Sequence, residues 1–217
     1  MNTESGRFID ELIRRHIQPV LRERGFVRKA RTWNRHRGTF IDVINVQASR
    51  WNANDSGSFT VNVGVFLPSV YSITWGKEPP SVAKVGDCIV ETRLGDPSMD
   101  GETLLKVAPK GQLLEQWWNF DASTDVDVLG SQVAEVIVRQ GLPFLEHFDS
   151  IEAIRDFLVE RCNSPRGRPL DRINLAVIEA RLGDLNSARQ RLMESKRLDG
   201  WGDWASAVAN RLGISLD

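Results

Sequence analysis

The stretch VINVQASRWNANDSGSFTVNVGVF, residues 43–66, constrains the fold more than any other part of the chain. Two runs of alternating apolar and polar residues flank a polar loop, and side chains on a strand point to opposite faces with a period of two. Pairing the runs antiparallel, with opposed residue numbers summing to 107, sets Ile44 against Val63, Val46 against Val61 and Ala48 against Phe59. The other face then matches Asn45 with Asn62, Gln47 with Thr60 and Ser49 with Ser58. A slip of one residue would set amides against valines, so the pattern specifies the register. One face is apolar and the other is a ladder of neutral amides and hydroxyls, with Trp51 at the tip of the connecting loop.

That ladder has two readings. Antiparallel sheets commonly keep one polar face in water. Asparagine, however, forms strands poorly, and an amide both donates and accepts hydrogen bonds, which suits a half-buried network or a hydrogen-bonding partner. Asn45, Gln47, Thr60 and Asn62 are therefore the candidate binding surface. Trp51 and Trp75, both expected in loops, join them because tryptophan is favoured at interaction hot spots.

Around this pair the chain divides into a mixed front part and a helical rear. Phe8, Ile9, Leu12, Ile13, Ile17, Val20 and Leu21 recur at helical intervals, with Pro19 expected to kink or restart that helix and Gly25 to end it. Residues 26–49 read as a hairpin turning near Arg37 and Gly38. Residues 67–80, punctuated by Pro68, Gly76, Pro79 and Pro80, read as irregular. Residues 85–94 read as a third long strand, with short strands at 103–108 and around Trp117. Ser123, Thr124 or Asp125 can cap a helix expected to stop at Gly141 before Pro143. Helical pieces follow to residue 162, then a hinge at 163–169 (NSPRGRP), then a helical hairpin closing at Gly183 and Asp184, and a last helix. The domain division expected is 1–162, hinge 163–169, and a helical cap at 170–217. The fold class is α+β: an N-terminal helix, an antiparallel sheet of about four to six strands, and a helical C-terminal third.

The 217 residues suffice to bury a core without metal or disulfide. No apolar run approaches membrane-spanning length, the first fifteen residues lack the apolar core of a signal peptide, and Cys88 and Cys162 read as free thiols. A cytoplasmic location is expected, with no membrane partner and no cofactor. The net charge of −1 hides a segregation: 11 Lys/Arg against 5 Asp/Glu in residues 1–50, 7 against 17 in 51–160, and 10 against 7 in 161–217. Either the oppositely charged segments lie beside one another or a basic face awaits an acidic partner.

The blocks GFVRKARTW, VINVQASRW, FTVNVGVF, CIVETRLG and GLPFLEHF, in that order, resemble a bacterial family catalogued as domain of unknown function 4304, from about Phe8 to about Leu158. The resemblance implies an α+β domain of the bacterial cytoplasm and brings no established activity or catalytic residues. Leu182, Gly183, Asp184 and Ala188 resemble one unit of a tetratricopeptide-type repeat; arrays of that kind stack three or more, so a helical cap is expected here.

Chemistry can be weighed residue by residue. His16, His36 and His147 lie in no nucleophile motif, and Cys88 on a strand reads as a small hydrophobe. Asp87, Glu91 and Arg93 on one strand approach the Asp…Glu-x-Lys pattern of metal-dependent nucleases and hydrolases, but arginine does not serve as a base where lysine would. Zinc spacing and phosphate-cradling glycine loops do not occur. Arg28, Lys29, Arg31 and Arg35, with Trp33, form a basic segment that nucleic acid could use. The leading expectation is a non-catalytic module that binds a protein, in its most specific form an immunity-type inhibitor of a toxin; the alternatives are the metal-dependent enzyme and the nucleic-acid binder.

Overall fold

The computed structural model describes residues 3–110, 117–165 and 167–216. Helix α1 (Glu4–Leu12), capped by Thr3, passes through a π-helical turn (Ile13–Ile17) into α2 (Gln18–Glu23). The π turn is how the helix survives Pro19: the Gln18 N–H reaches back to the Ile13 carbonyl, five residues away, before the residue that has no N–H to offer. Gly25 then turns the chain at φ 80°.

Four strands follow as two linked hairpins: β1 (Val27–Lys29), β2 (Thr32–Arg37), β3 (Phe40–Ala48) and β4 (Gly57–Phe66). The expected single strand before residue 37 is split at Ala30, which takes a left-handed φ of 55°. The β3–β4 register is the one the alternation specifies, including Ile44↔Val63, Asn45↔Asn62 and Gln47↔Thr60. The sheet runs β1-β2-β3-β4-β5 and is antiparallel throughout; β6 joins β4 at its start, on the edge that β5 occupies further along.

Between β4 and β5, residues 67–80 are not irregular. They form α3 (Pro68–Trp75), with proline in the first turn, where its missing N–H costs nothing, and Gly76 as a left-handed C-cap. The expected strand at 85–94 contracts to β5 (Val90–Arg93), preceded by a 3-10 turn at Val85–Asp87. Of the residues expected as a strand at 103–108, 103–107 lie instead in α4 (Gly101–Val107) and Ala108 is its C-cap, because the Asp100 carboxylate accepts the Thr103 N–H at 2.8 Å and so starts a helix. Residues 111–116 lie outside the described residues, and β6 (Trp118–Phe120) follows.

Asp125 caps α5 (Val126–Val136), which does not stop at Gly141 but runs through a second π turn (Ile137–Gly141) into α6 (Leu142–His147). The device is the same: the Leu142 N–H pairs with the Ile137 carbonyl just ahead of Pro143. Helix α7 (Ile151–Cys162) is followed by α8 (Pro169–Arg181), α9 (Leu185–Lys196) and α10 (Gly202–Leu212).

The apolar sheet face carries Trp33, Ile44, Val46, Phe59, Val61, Val63 and Val65. It packs in one core with Ile9, Leu12, Ile13, Ile17 and Leu21 of the first helix and with Val133, Ile137, Phe144 and Leu145. The C-terminal helices are gripped by α3: Trp204 donates to the Thr74 carbonyl, Arg211 to the Ile73 carbonyl, and Thr74 to Asn174. The charge-segregated segments meet in space, with Arg15 on Asp127 at 3.1 Å and Arg168 on Glu91 at 2.8 Å.

Candidate functional site

The polar sheet face is neither uniformly exposed nor uniformly covered. At one end Ile41, Val43 and Phe66 form a second small core with Ala83 and Cys88. Two residues of the sheet make this possible. The Asn34 side chain accepts from the Ala83 N–H at 2.9 Å and donates to the Ala83 carbonyl at 3.0 Å, fixing the incoming segment. Gly64 leaves room for it: a Cβ there would stand 2.7 Å from the Val90 carbonyl oxygen and 2.9 Å from the Cys88 Sγ. The segment therefore ends as a wall, and beyond it the polar face opens.

The opening is a solvent-accessible concavity of about 530 Å³. Its floor is one cross-strand row, Thr32↔Asn45↔Asn62↔Arg93, over four adjacent strands, with Gln47 beside it. Around the floor it is lined by Lys84, Val85 and Gly86 and by Glu91 with Arg161 of α7. The floor is internally wired. Arg93 donates to the Asn62 Oδ1 (3.3 Å), Asn62 donates to the Gln47 Oε1 (3.1 Å), and Asn45 donates to the Thr32 Oγ1 (3.0 Å) and the Arg31 carbonyl (3.2 Å). The Arg93 guanidinium also lies 5.2 Å over the Trp117 ring.

The candidate residues separate on this map. Asn45, Gln47 and Asn62 line the concavity; Asn62 is 8% exposed, whereas Gln47 is open to solvent. Thr60 sits on the same face but is fully buried, its hydroxyl without a partner among the described residues. Trp51 is 81% exposed, with Arg50 over its ring, on the loop that continues the polar row past Ser49. Trp75 is not in a loop: it ends α3 and lies against Trp204, ring centroids 4.6 Å apart, with Trp201 stacked behind.

The Asp87–Glu91–Arg93 alignment does not form. Asp87 falls in the 3-10 turn, where its carboxylate accepts the Lys84 N–H, and only Glu91 and Arg93 share the strand. Glu91 is held by Arg168. No group of three or more His, Cys, Asp or Glu suited to a metal ion occurs among the described residues. In the basic segment, Trp33 is buried with its indole N–H on Gln18, Arg31 pairs with Asp10, and Arg35 with Arg37 clasps the buried Asp42. Arg28 lies over the Trp33 ring and donates to the Ala30 carbonyl, and Lys29 is exposed at the sheet edge.

Sequence reasoning missed Thr32, Lys84 and Arg161. Thr32 was accessible to it, since a turn at Arg37 and Gly38 places Thr32 opposite Asn45; the other two arrive through contacts between distant segments. It also missed an array on the opposite side of the sheet. His16 donates to Asp127 at 2.8 Å and lies 3.4 Å from the Ser131 Oγ, its ring flat against Gly130, where a Cβ would be 2.3 Å from the ring. With Arg15 on the same carboxylate, this clamps the first helix to α5 and holds the Asp127 carboxyl below the usual range. Burial pushes the Cys88 thiol up, and that of Cys162 to about 11, so both are protonated at neutral pH.

Compared with known proteins, residues 17–147 match the family model of a domain of unknown function, DUF4304, and the chain belongs to that family. No curated protein and no solved structure matches it. The floor of the concavity and the Lys84 wall fall inside the matched region, while Arg161 lies beyond it.

Proposed function

For this member of the DUF4304 family we propose a non-catalytic protein-binding module whose partner docks over the polar concavity of the sheet. The observation that carries the reading is the Thr32–Asn45–Asn62–Arg93 row: four polar side chains in register on four strands, flooring an open concavity. A purely structural sheet face has no need of poor strand formers at its centre, and here Asn62 bonds to Gln47 and Arg93 while Asn45 bonds to Thr32 and the Arg31 carbonyl, all along the polar face. Stable protein interfaces cover roughly 800 Å² on each partner, more than the concavity offers. The interface therefore extends from the floor past Ser49 to Trp51, whose exposed indole supplies an anchor. In its most specific form the module is an immunity-type inhibitor that holds a toxin in an equimolar complex.

The test is blockade at the mouth. Gln47 is exposed, so Gln47→Trp fills the opening without touching the core. Affinity-tagged wild type should retain a protein of the source cell at one-to-one stoichiometry by size-exclusion light scattering, and Gln47→Trp should lose it while its unfolding midpoint falls by no more than about 4 °C, the share of the lost Asn62–Gln47 hydrogen bond. Undiminished binding by a folded Gln47→Trp protein contradicts the reading.

A further inference from the structure

We propose that the concavity receives an ionised carboxylate, an aspartate or glutamate side chain presented by the docking protein, between Lys84 and Arg161 above the amide floor. This deepens the docking reading and rests on it. Three observations lead here, and each concerns what the site leaves unused.

The first is the orientation of the floor. Arg93 donates to the Asn62 oxygen, which turns the Asn62 amide nitrogen toward the Gln47 oxygen. Gln47 thereby spends its acceptor on the protein, and its N–H donors have no partner among the described residues. Thr32 likewise accepts from Asn45 and keeps its hydroxyl hydrogen. The floor is thus biased toward donors, and an ionised carboxylate is a group that only accepts.

The second is the charge on the walls. Arg161 is 13% exposed, and its Nη1 donates to a backbone carbonyl, that of Glu91, at 3.2 Å. Its ion-pair carboxylate, Asp171, is 3.7 Å away and is already engaged by Arg168 at 2.9 Å. A desolvated guanidinium sharing its counter-ion in this way gains from a second anion at its open side. Burial accordingly pulls the Arg161 pKa down. Lys84, which also lines the concavity and is exposed, forms no ion pair among the described residues.

The third is the state of the carboxylates already there. Glu91 on the wall is bound by Arg168 at 2.8 Å, and Asp87 caps the Lys84 N–H from within the turn. Glu91 acts on Arg161 from a distance, but its carboxylate is committed to Arg168, and that of Asp87 to the Lys84 N–H.

The experiment is a titration of the whole ¹⁵N-labelled protein by NMR at constant ionic strength. The probes are N-acetyl-glutamate amide, the neutral N-acetyl-glutamine amide and inorganic phosphate. The acidic probe should give saturable shifts at millimolar concentration in the Gln47, Asn45 and Asn62 side-chain amides and in the Arg161 Nε–H. The glutamine probe should give none, and Lys84→Gln should weaken the acidic probe about threefold, the size of an exposed ion pair. Saturation by phosphate alone, or by no probe, overturns the inference. If Gln47→Trp abolishes the protein complex while no probe binds, docking stands and the carboxylate falls. If the acidic probe binds but the complex ignores Gln47→Trp, the carboxylate is not the partner's and the inference also falls.

Discussion

Val61 and Asn62 are consecutive residues on opposite faces of β4, and exchanging their characters separates core from site. Val61 is fully buried in the core that the sheet shares with the first helix. Val61→Asn removes a buried aliphatic group worth roughly 1.5–3 kcal/mol and adds an unsatisfied amide costing roughly 1–3 kcal/mol. The sum is about 4 kcal/mol. A chain of this size loses roughly 2–4 °C of Tm per kcal/mol, so Tm should fall by about 8–16 °C. Asn62→Val breaks two hydrogen bonds, of 3.1 and 3.3 Å, each worth about 1 kcal/mol net. Their partners, Gln47 and Arg93, reach water, and valine recovers up to about 1 kcal/mol of strand preference. The net cost is about 1 kcal/mol, or 2–4 °C, with loss of partner binding. Differential scanning calorimetry and urea titration read both variants. An Asn62→Val penalty equal to that of Val61→Asn would refute the reasoning, because the amides would then hold the fold together rather than serve a surface.

Other outcomes follow from the same geometry. Gly64→Ala should cost about 1–3 kcal/mol by urea titration, since its Cβ would press on the Val90 carbonyl and force β5 outward. Asp42→Ala strands Arg35 and Arg37 around a buried site and should cost about 3–5 kcal/mol; a loss under about 1 kcal/mol would show the cluster to be idle. The Thr103 N–H holds the Asp100 carboxyl low, Ser123 that of Asp121, His16 that of Asp127 and Ser187 that of Asp184. Folded values below unfolded ones give stability that is complete above the ordinary carboxylate range and lost as pH falls through it. The urea midpoint should accordingly stay level from pH 7 to about 5 and drop below about 4. Cys88 and Cys162 should resist a disulfide reagent at pH 8 until guanidinium exposes them, when both react.

What could be read from the sequence follows the range of the interactions involved. The β3–β4 register was readable because alternation and a short loop fix both partners within one stretch of chain. The N-terminal helix was readable too, although its passage across Pro19 by a π turn was not, since Pro19 and Pro143 read as interruptions. Helix α3 was hidden for a related reason: Pro68 and Gly76 look like breakers until one sees that they occupy its first turn and its C-cap. The polar floor was visible as residues but not as a concavity. Its walls come from Asn34 catching Ala83 across 49 positions and from Arg161 reaching the Glu91 carbonyl across 70, and no local pattern announces either.

An aliphatic diazirine amino acid no bulkier than glutamine, so that unlike tryptophan it leaves the opening unfilled, placed at Gln47 and in a second protein at Val128, asks most directly which face meets the partner. Both positions are exposed, one above the polar floor and the other on α5, on the far side of the core. Docking over the concavity requires an irradiation-dependent adduct of one defined mass from position 47 and none from position 128. The same adduct from position 128 with none from position 47 would place the partner on the helices and leave the amide row a solvated sheet face.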